Sequence, residues 1–136
     1  MKENEIVEAV LKFYPDLQAV YLFGTSGSED ERPDSDVDVA LLFSPAAAAK
    51  TGSLLMSDLW NELEKLLGKD VDLINLRMVN TVLQKEVISA DRRIYCADDY
   101  AADEFEMLVL SYYQKLNEER AGIIKEALKS GRFHKV

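Results

Sequence analysis

Cysteine is almost missing from this chain. Cys96 stands alone, which excludes an intramolecular disulfide and a thiolate metal site and leaves the role of a buried structural thiol. The single histidine, His134, lies in the last residues and is assigned no catalytic part. No apolar run approaches the roughly 20 residues that span a bilayer. The opening MKENEIVE has no apolar region of the signal-peptide kind. The expectation is a soluble, cytoplasmic protein with no membrane partner.

Positive charge is also short. Sixteen Lys and Arg face 25 Asp and Glu, a formal net charge of −9. Such a surface repels phosphate backbones, which argues against direct nucleic-acid binding. It also makes ATP a poor ligand unless a divalent metal screens its charge. An acidic protein that handles ATP should therefore carry a metal site.

What is present is a core. The 136 residues are 48% apolar, enough for a single domain over 1–136, with no internal repeat or low-complexity linker. A helix capped by Asn4 runs to about Tyr14, with Ile6, Val7, Val10 and Leu11 on one face, and Pro15 closes it. Ala19 to Phe23 reads as a strand and Asp36 to Phe43 as a second, whose apolar second half suits a central position buried on both sides. The alanines at 46–49 read as a partly helical connection. Ser53 is expected to cap a helix with Leu55, Met56, Leu59, Trp60, Leu63, Leu66 and Leu67 inward, stopped by Gly68. Asp70 to Leu76 is a third strand. Asn80 opens a helix carrying Val82, Leu83, Val87 and Ile88, and Arg93 to Cys96 is a short fourth strand. A long helix from about Asp99 to Ser130 completes the chain. Phe105, Val109, Tyr112, Leu116, Ile123 and Ala127 recur along it at helical spacing, widened by Leu108, Tyr113, Ile124 and Leu128. The fold class is α/β (α+β): a small mixed sheet with helices packed on it.

The chemistry lies between the first two strands, in LFGTSGSEDERPDSDVDVALLF, Leu22 to Phe43. Residues two apart in a strand share a face, so Asp36 and Asp38 project together while Val37 turns away. Two carboxylates so placed repel unless cations sit between them. A pair of Mg²⁺ ions would remove the repulsion and clamp a phosphoryl displacement. A third carboxylate, Asp72, comes from the next strand, and Asp70 is a weaker candidate nearer that strand's start. An isolated D-x-D is usually a solvated edge. Here it opens an apolar central strand, where unpaired charge is costly, just after the Gly24-Thr25 turn. Gly24 permits close backbone approach to a phosphate, and Thr25 can donate its hydroxyl and N–H at a helix N-terminus. No Gly-Lys-Ser/Thr follows, so this is not a Walker loop. Asp34, Asp36 and Asp38 mimic the start of a calcium loop, but Val39 holds its glycine place and Pro45 its glutamate place.

Gly24-Thr25, ten residues, then Asp36-x-Asp38 resembles the G-S-x10-D-x-D signature of the minimal nucleotidyltransferases of the DNA polymerase β superfamily. Arg32 to Asp38 (RPDSDVD) is similar to that family's R-P-D-S-D-I-D run, and Val71 to Leu76 to its third-carboxylate strand. The tail around Ser111-Tyr112-Tyr113-Gln114 and Glu118-Glu119-Arg120 is similar to antitoxins of the MntA type, partners of HEPN-domain ribonuclease toxins. The resemblance implies a nucleotidyltransferase palm and transfer of AMP from ATP to a tyrosine hydroxyl of the toxin, within a hetero-oligomer. It implies that Gly24, Thr25 and Ser35 hold the nucleotide and that Asp36, Asp38 and Asp72 ligate Mg²⁺. Asp72 would also take the hydroxyl proton, since a phenol of pKa about 10 needs such help near neutral pH. Thr25 departs from the family's serine, and Ser28-Glu29 from a more basic pattern. Two alternatives stay open: a binding module that neutralises the toxin by occlusion, and a nucleotidyltransferase acting on a small molecule. Among the remaining residues, Arg77, Arg92 and Arg93 read as surface charges and Trp60 as core.

Overall fold

The computed structural model describes residues 3–24 and 36–130, with side chains through Gly122. Four strands, β1 Ala19–Phe23, β2 Val37–Leu42, β3 Val71–Asn75 and β4 Arg93–Cys96, form one sheet in the order β3-β2-β1-β4. β1 runs antiparallel to both neighbours, and β2 runs parallel to β3. The described residues also form five α-helices: α1 Glu3–Phe13, α2 Pro45–Thr51, α3 Asp58–Leu67, α4 Thr81–Ser89 and α5 Asp99–Ser130.

Strand alternation sorts the core into two layers. Val20, Leu22, Val37, Val39 and Leu41 pack with Ile6 and Val10 of α1 and Leu59 and Leu63 of α3. Tyr21, Phe23, Ala40 and Leu42 pack with Val87 of α4 and Ala102, Phe105 and Val109 of α5. The strand expected to be central is central, and Val37 and Val39 to Leu42 are all buried. Each large aliphatic side chain so buried stabilises the fold by roughly 1.5–3 kcal/mol.

Local signals explain the element ends. Ser57 caps α3, its side chain accepting from the Trp60 N–H. Gly68 closes the helix in a left-handed conformation, φ 64°. Asn80 caps α4 through the Leu83 N–H. Pro45 opens α2, with Ser44 as its cap.

Several expectations about these elements fail. Asn4 lies inside the first turn of α1, which starts at Glu3. Ser53 does not cap α3. Its hydroxyl accepts from the Leu55 N–H in a turn where Met56 has φ 60°, and both Leu55 and Met56 are exposed. Tyr112, expected inward, is also exposed. Past Val109 the sheet no longer backs α5, and contact passes to α4, where the Lys85 ammonium sits 5.0 Å from the Tyr113 ring centre. The Ile123, Ile124, Ala127 and Leu128 side chains, and His134, lie outside the described residues.

Candidate active site

Sheet register brings the predicted carboxylates together. Asp38 is the direct partner of Asp72 across the parallel β2–β3 pair, and on its other side it is the partner of Phe23, the last residue of β1. Asp36 stands exposed one residue before β2. All three therefore sit at the same end of the sheet. Asp70 is also at this end, but its carbonyl accepts from the Val37 N–H and fixes the strand pairing. Thr25, Ser28, Glu29 and Ser35 lie outside the described residues.

Gly24 closes the corner. Its φ is 66°, and a Cβ built there would lie 2.1 Å from Asp38 Oδ2. The glycine is required twice, once for its left-handed backbone and once because the Asp38 carboxylate occupies the space a side chain would need.

The electrostatics of Asp38 reflect burial and the crowding of carboxylates at this end of the sheet. Its pKa is pushed up to about 6, first by burial and then by repulsion from Asp72, Asp36 and Glu86, while Arg92 pulls it down. Glu86, exposed on α4, and Arg92, before β4, are residues that sequence reasoning did not connect with the site. The proximity of Glu86 arises from the packing of α4 over the sheet, for which no local sequence signal exists.

Among the described residues no three acidic, histidine or cysteine side chains close into a ready-made metal cage. The donor set nevertheless fits Mg²⁺: hard carboxylate oxygens, two of them on directly paired strand positions, with no histidine or thiolate to favour a softer metal. A divalent cation would relieve the repulsion that raises the Asp38 pKa.

The arginines correct the sequence reading. Arg77 is no surface charge. Its Nε donates to the Phe43 carbonyl, its Nη2 to Gln18 Oε1 at 2.9 Å, and its guanidinium lies 5.1 Å from the Phe105 ring centre. Arg93 is equally engaged. It donates to Glu106 at 2.9 Å and Asp103 at 3.1 Å, and Glu106 also accepts from the Tyr21 hydroxyl at 2.8 Å. These contacts tie α5 to β1 and β4. Burial beside Glu106 pushes the Tyr21 phenol well above its ordinary value. Arg92 is buried at its tip: Nη1 and Nη2 find no hydrogen-bond partner among the described residues. Its carbonyl accepts from the Leu22 N–H, two residues before Gly24.

A paired-carboxylate strand facing a glycine corner is a frame for nucleotidyl transfer, and residues 5–100 match the family described as polymerase beta, nucleotidyltransferase. The chain belongs to that family. This nucleotidyltransferase is 32% identical over 129 residues to the protein adenylyltransferase MntA of Shewanella oneidensis, covering 94% of this chain and 88% of the relative. It is similar to a toxin–antitoxin crystallised with AMP-PNP, with TM-score 0.73, 29% identity, and coverage of 94% of this chain and 99% of the other. A structure of a tri-AMPylated Shewanella oneidensis HEPN toxin in complex with its MNT antitoxin also matches, with TM-score 0.64, 30% identity, and 93% and 95% coverage. The nucleotidyltransferase has no helix among the described residues long and apolar enough to cross a membrane.

Proposed function

We propose that this chain is the cytoplasmic antitoxin of a HEPN toxin and silences it by moving AMP from ATP to a tyrosine hydroxyl of the toxin. The observation that carries the reading is the direct pairing of Asp38 with Asp72 beside Gly24, in a chain that matches a protein adenylyltransferase along almost its whole length.

The residues take distinct roles. Asp36, Asp38 and Asp72 would hold Mg²⁺. Bound there, the metal would screen the triphosphate and supply Lewis-acid polarisation of the α-phosphate. Gly24 lets the backbone approach the triphosphate, and Thr25 and Ser35 keep the nucleotide-holding role their sequence positions imply. Asp72 accepts the proton of the tyrosine hydroxyl. The phenolic oxygen then forms a bond to the α-phosphorus, the bond to the β-phosphate oxygen breaks, and pyrophosphate leaves. Tyrosine carries AMP as a phosphodiester, and the proton on Asp72 passes to solvent.

Intact-mass analysis of the toxin after incubation with this chain, ATP and Mg²⁺ tests the reading. AMP adducts on tyrosine, with loss of ribonuclease activity, are expected. An unmodified toxin that is nevertheless silenced would favour neutralisation by occlusion.

A further inference from the structure

A second concavity adjoins the carboxylates. It has a volume of about 490 Å³ and lies along the outer side of β3, between that strand, the connection from α2 to α3, and the end of the 3-10 turn at Leu76–Met78. Leu54, Leu55, Ile74 and Met78 give it aliphatic walls, and Asp72 stands at its rim. Among the described residues no lysine or arginine lines it, so those residues offer no cation to a triphosphate.

The strand edge within it is open. Val37 N–H donates to the Asp70 carbonyl, so alternation turns the backbone groups of Asp72 and Ile74 toward β2 and those of Val71 and Leu73 outward. The outward groups of Val71 are taken by α3: its N–H donates to Glu64 Oε2 at 3.0 Å, and its carbonyl accepts from Trp60 Nε1 at 2.8 Å. The α3 side chains make no such bond to Leu73, whose outward N–H and C=O have no hydrogen bond to a described residue outside the strand. Asn75, 4% exposed, also lines the cleft. Its amide nitrogen holds the opposite wall through the Ala48 and Gly52 carbonyls, at 3.0 and 2.9 Å. Its Oδ1 is buried without a partner.

An unpaired edge, an unused buried acceptor and an aliphatic wall, all leading to the residue that takes the hydroxyl proton, describe a place for a peptide. We propose that this cleft is the acceptor subsite: the tyrosine-bearing segment of the protein substrate adds as a strand along Leu73, with its ring against Ile74, Leu55 and Met78 and its hydroxyl at Asp72. Main-chain pairing would supply affinity, and the walls would select an aromatic side chain. The inference rests on the AMP-transfer reading and adds to it the path by which the acceptor enters.

Leu55 and Met78 are exposed, so Leu55→Glu and Met78→Glu leave the core intact, which thermal melts check. With labelled ATP and the HEPN toxin, each variant should raise the KM for toxin about tenfold, the loss of one apolar anchor of roughly 1.4 kcal/mol, with the KM for ATP unchanged. A raised KM for ATP with an unchanged KM for toxin would assign the cleft to the adenine base and overturn the proposal, as would no effect on either. Hydrogen exchange on the toxin complex without ATP gives an independent reading. The Leu73 amide should gain protection, and unchanged exchange there would overturn the proposal whether or not transfer occurs. Absence of transfer by the wild-type pair would overturn the AMP-transfer reading instead.

Discussion

Gly24 and Asp38 occupy one space: the carboxylate of Asp38 sits where a Cβ on residue 24 would be. The turn at Gly24 and the strand that carries Asp38 are thereby locked to one another. Gly24→Ala adds left-handed strain of roughly 1–2 kcal/mol and drives the carboxylate from its position. The variant should lose about 1–3 kcal/mol in denaturant unfolding and fall in kcat/KM by on the order of a hundredfold.

The raised pKa of Asp38, about 6 against an ordinary 3.8, fixes the sign of a pH effect. Between those values the folded, metal-free protein binds more protons than the unfolded chain, so its stability falls as pH rises through that window. Above pH about 6 the full cost is present, on the order of 1 kcal/mol once solvent screening is discounted. Thermal melts should show Asp38→Asn more stable than wild type at pH 7 without metal. Added Mg²⁺ should raise the melting temperature of wild type and leave that of the variant nearly unmoved.

Arg92 lowers the Asp38 pKa from a position where its own tip is buried without a hydrogen bond. Arg92→Met should therefore move the pH midpoint of metal binding upward, because Asp38 then holds its proton more tightly. Titration calorimetry from pH 5 to 8 reads the shift. An unchanged midpoint would mean that its charge does not reach the carboxylates.

Glu106 accepts from both Tyr21 and Arg93 and is the main polar tie between α5 and the sheet. Glu106→Ala leaves the buried Tyr21 hydroxyl without its acceptor and Arg93 with Asp103 as its remaining hydrogen-bond partner, and should cost about 1–3 kcal/mol. Amide exchange should quicken along the first half of α5, with little change in α1 or α3.

The strands and the carboxylate pair were legible because their signals are local. A period of two places Asp36 and Asp38 together, and the apolar half of β2 announces burial on both sides. The start of α3 was not. Leu55, Met56, Leu59, Trp60 and Leu63 keep a helical spacing, yet Ser57 is the better cap, and the chain reaches it through a turn with Met56 left-handed. Arg92 and Arg93 look alike in sequence, but as successive residues of extended chain they turn to different surroundings. Arg93 meets acids on α5, and Arg92 lies buried within electrostatic reach of Asp38. Such differences come from tertiary packing, which neither propensity nor spacing encodes.

The central claim is that paired carboxylates on β2 and β3 drive transfer of AMP to the toxin. Single-turnover transfer of label from ATP to the toxin tyrosine, with Asp38→Asn and Asp72→Asn beside wild type, tests it most directly. The account predicts a rate reduced by about a thousandfold or more in each variant, with toxin binding intact. Labelling at near wild-type rate in either variant would contradict it.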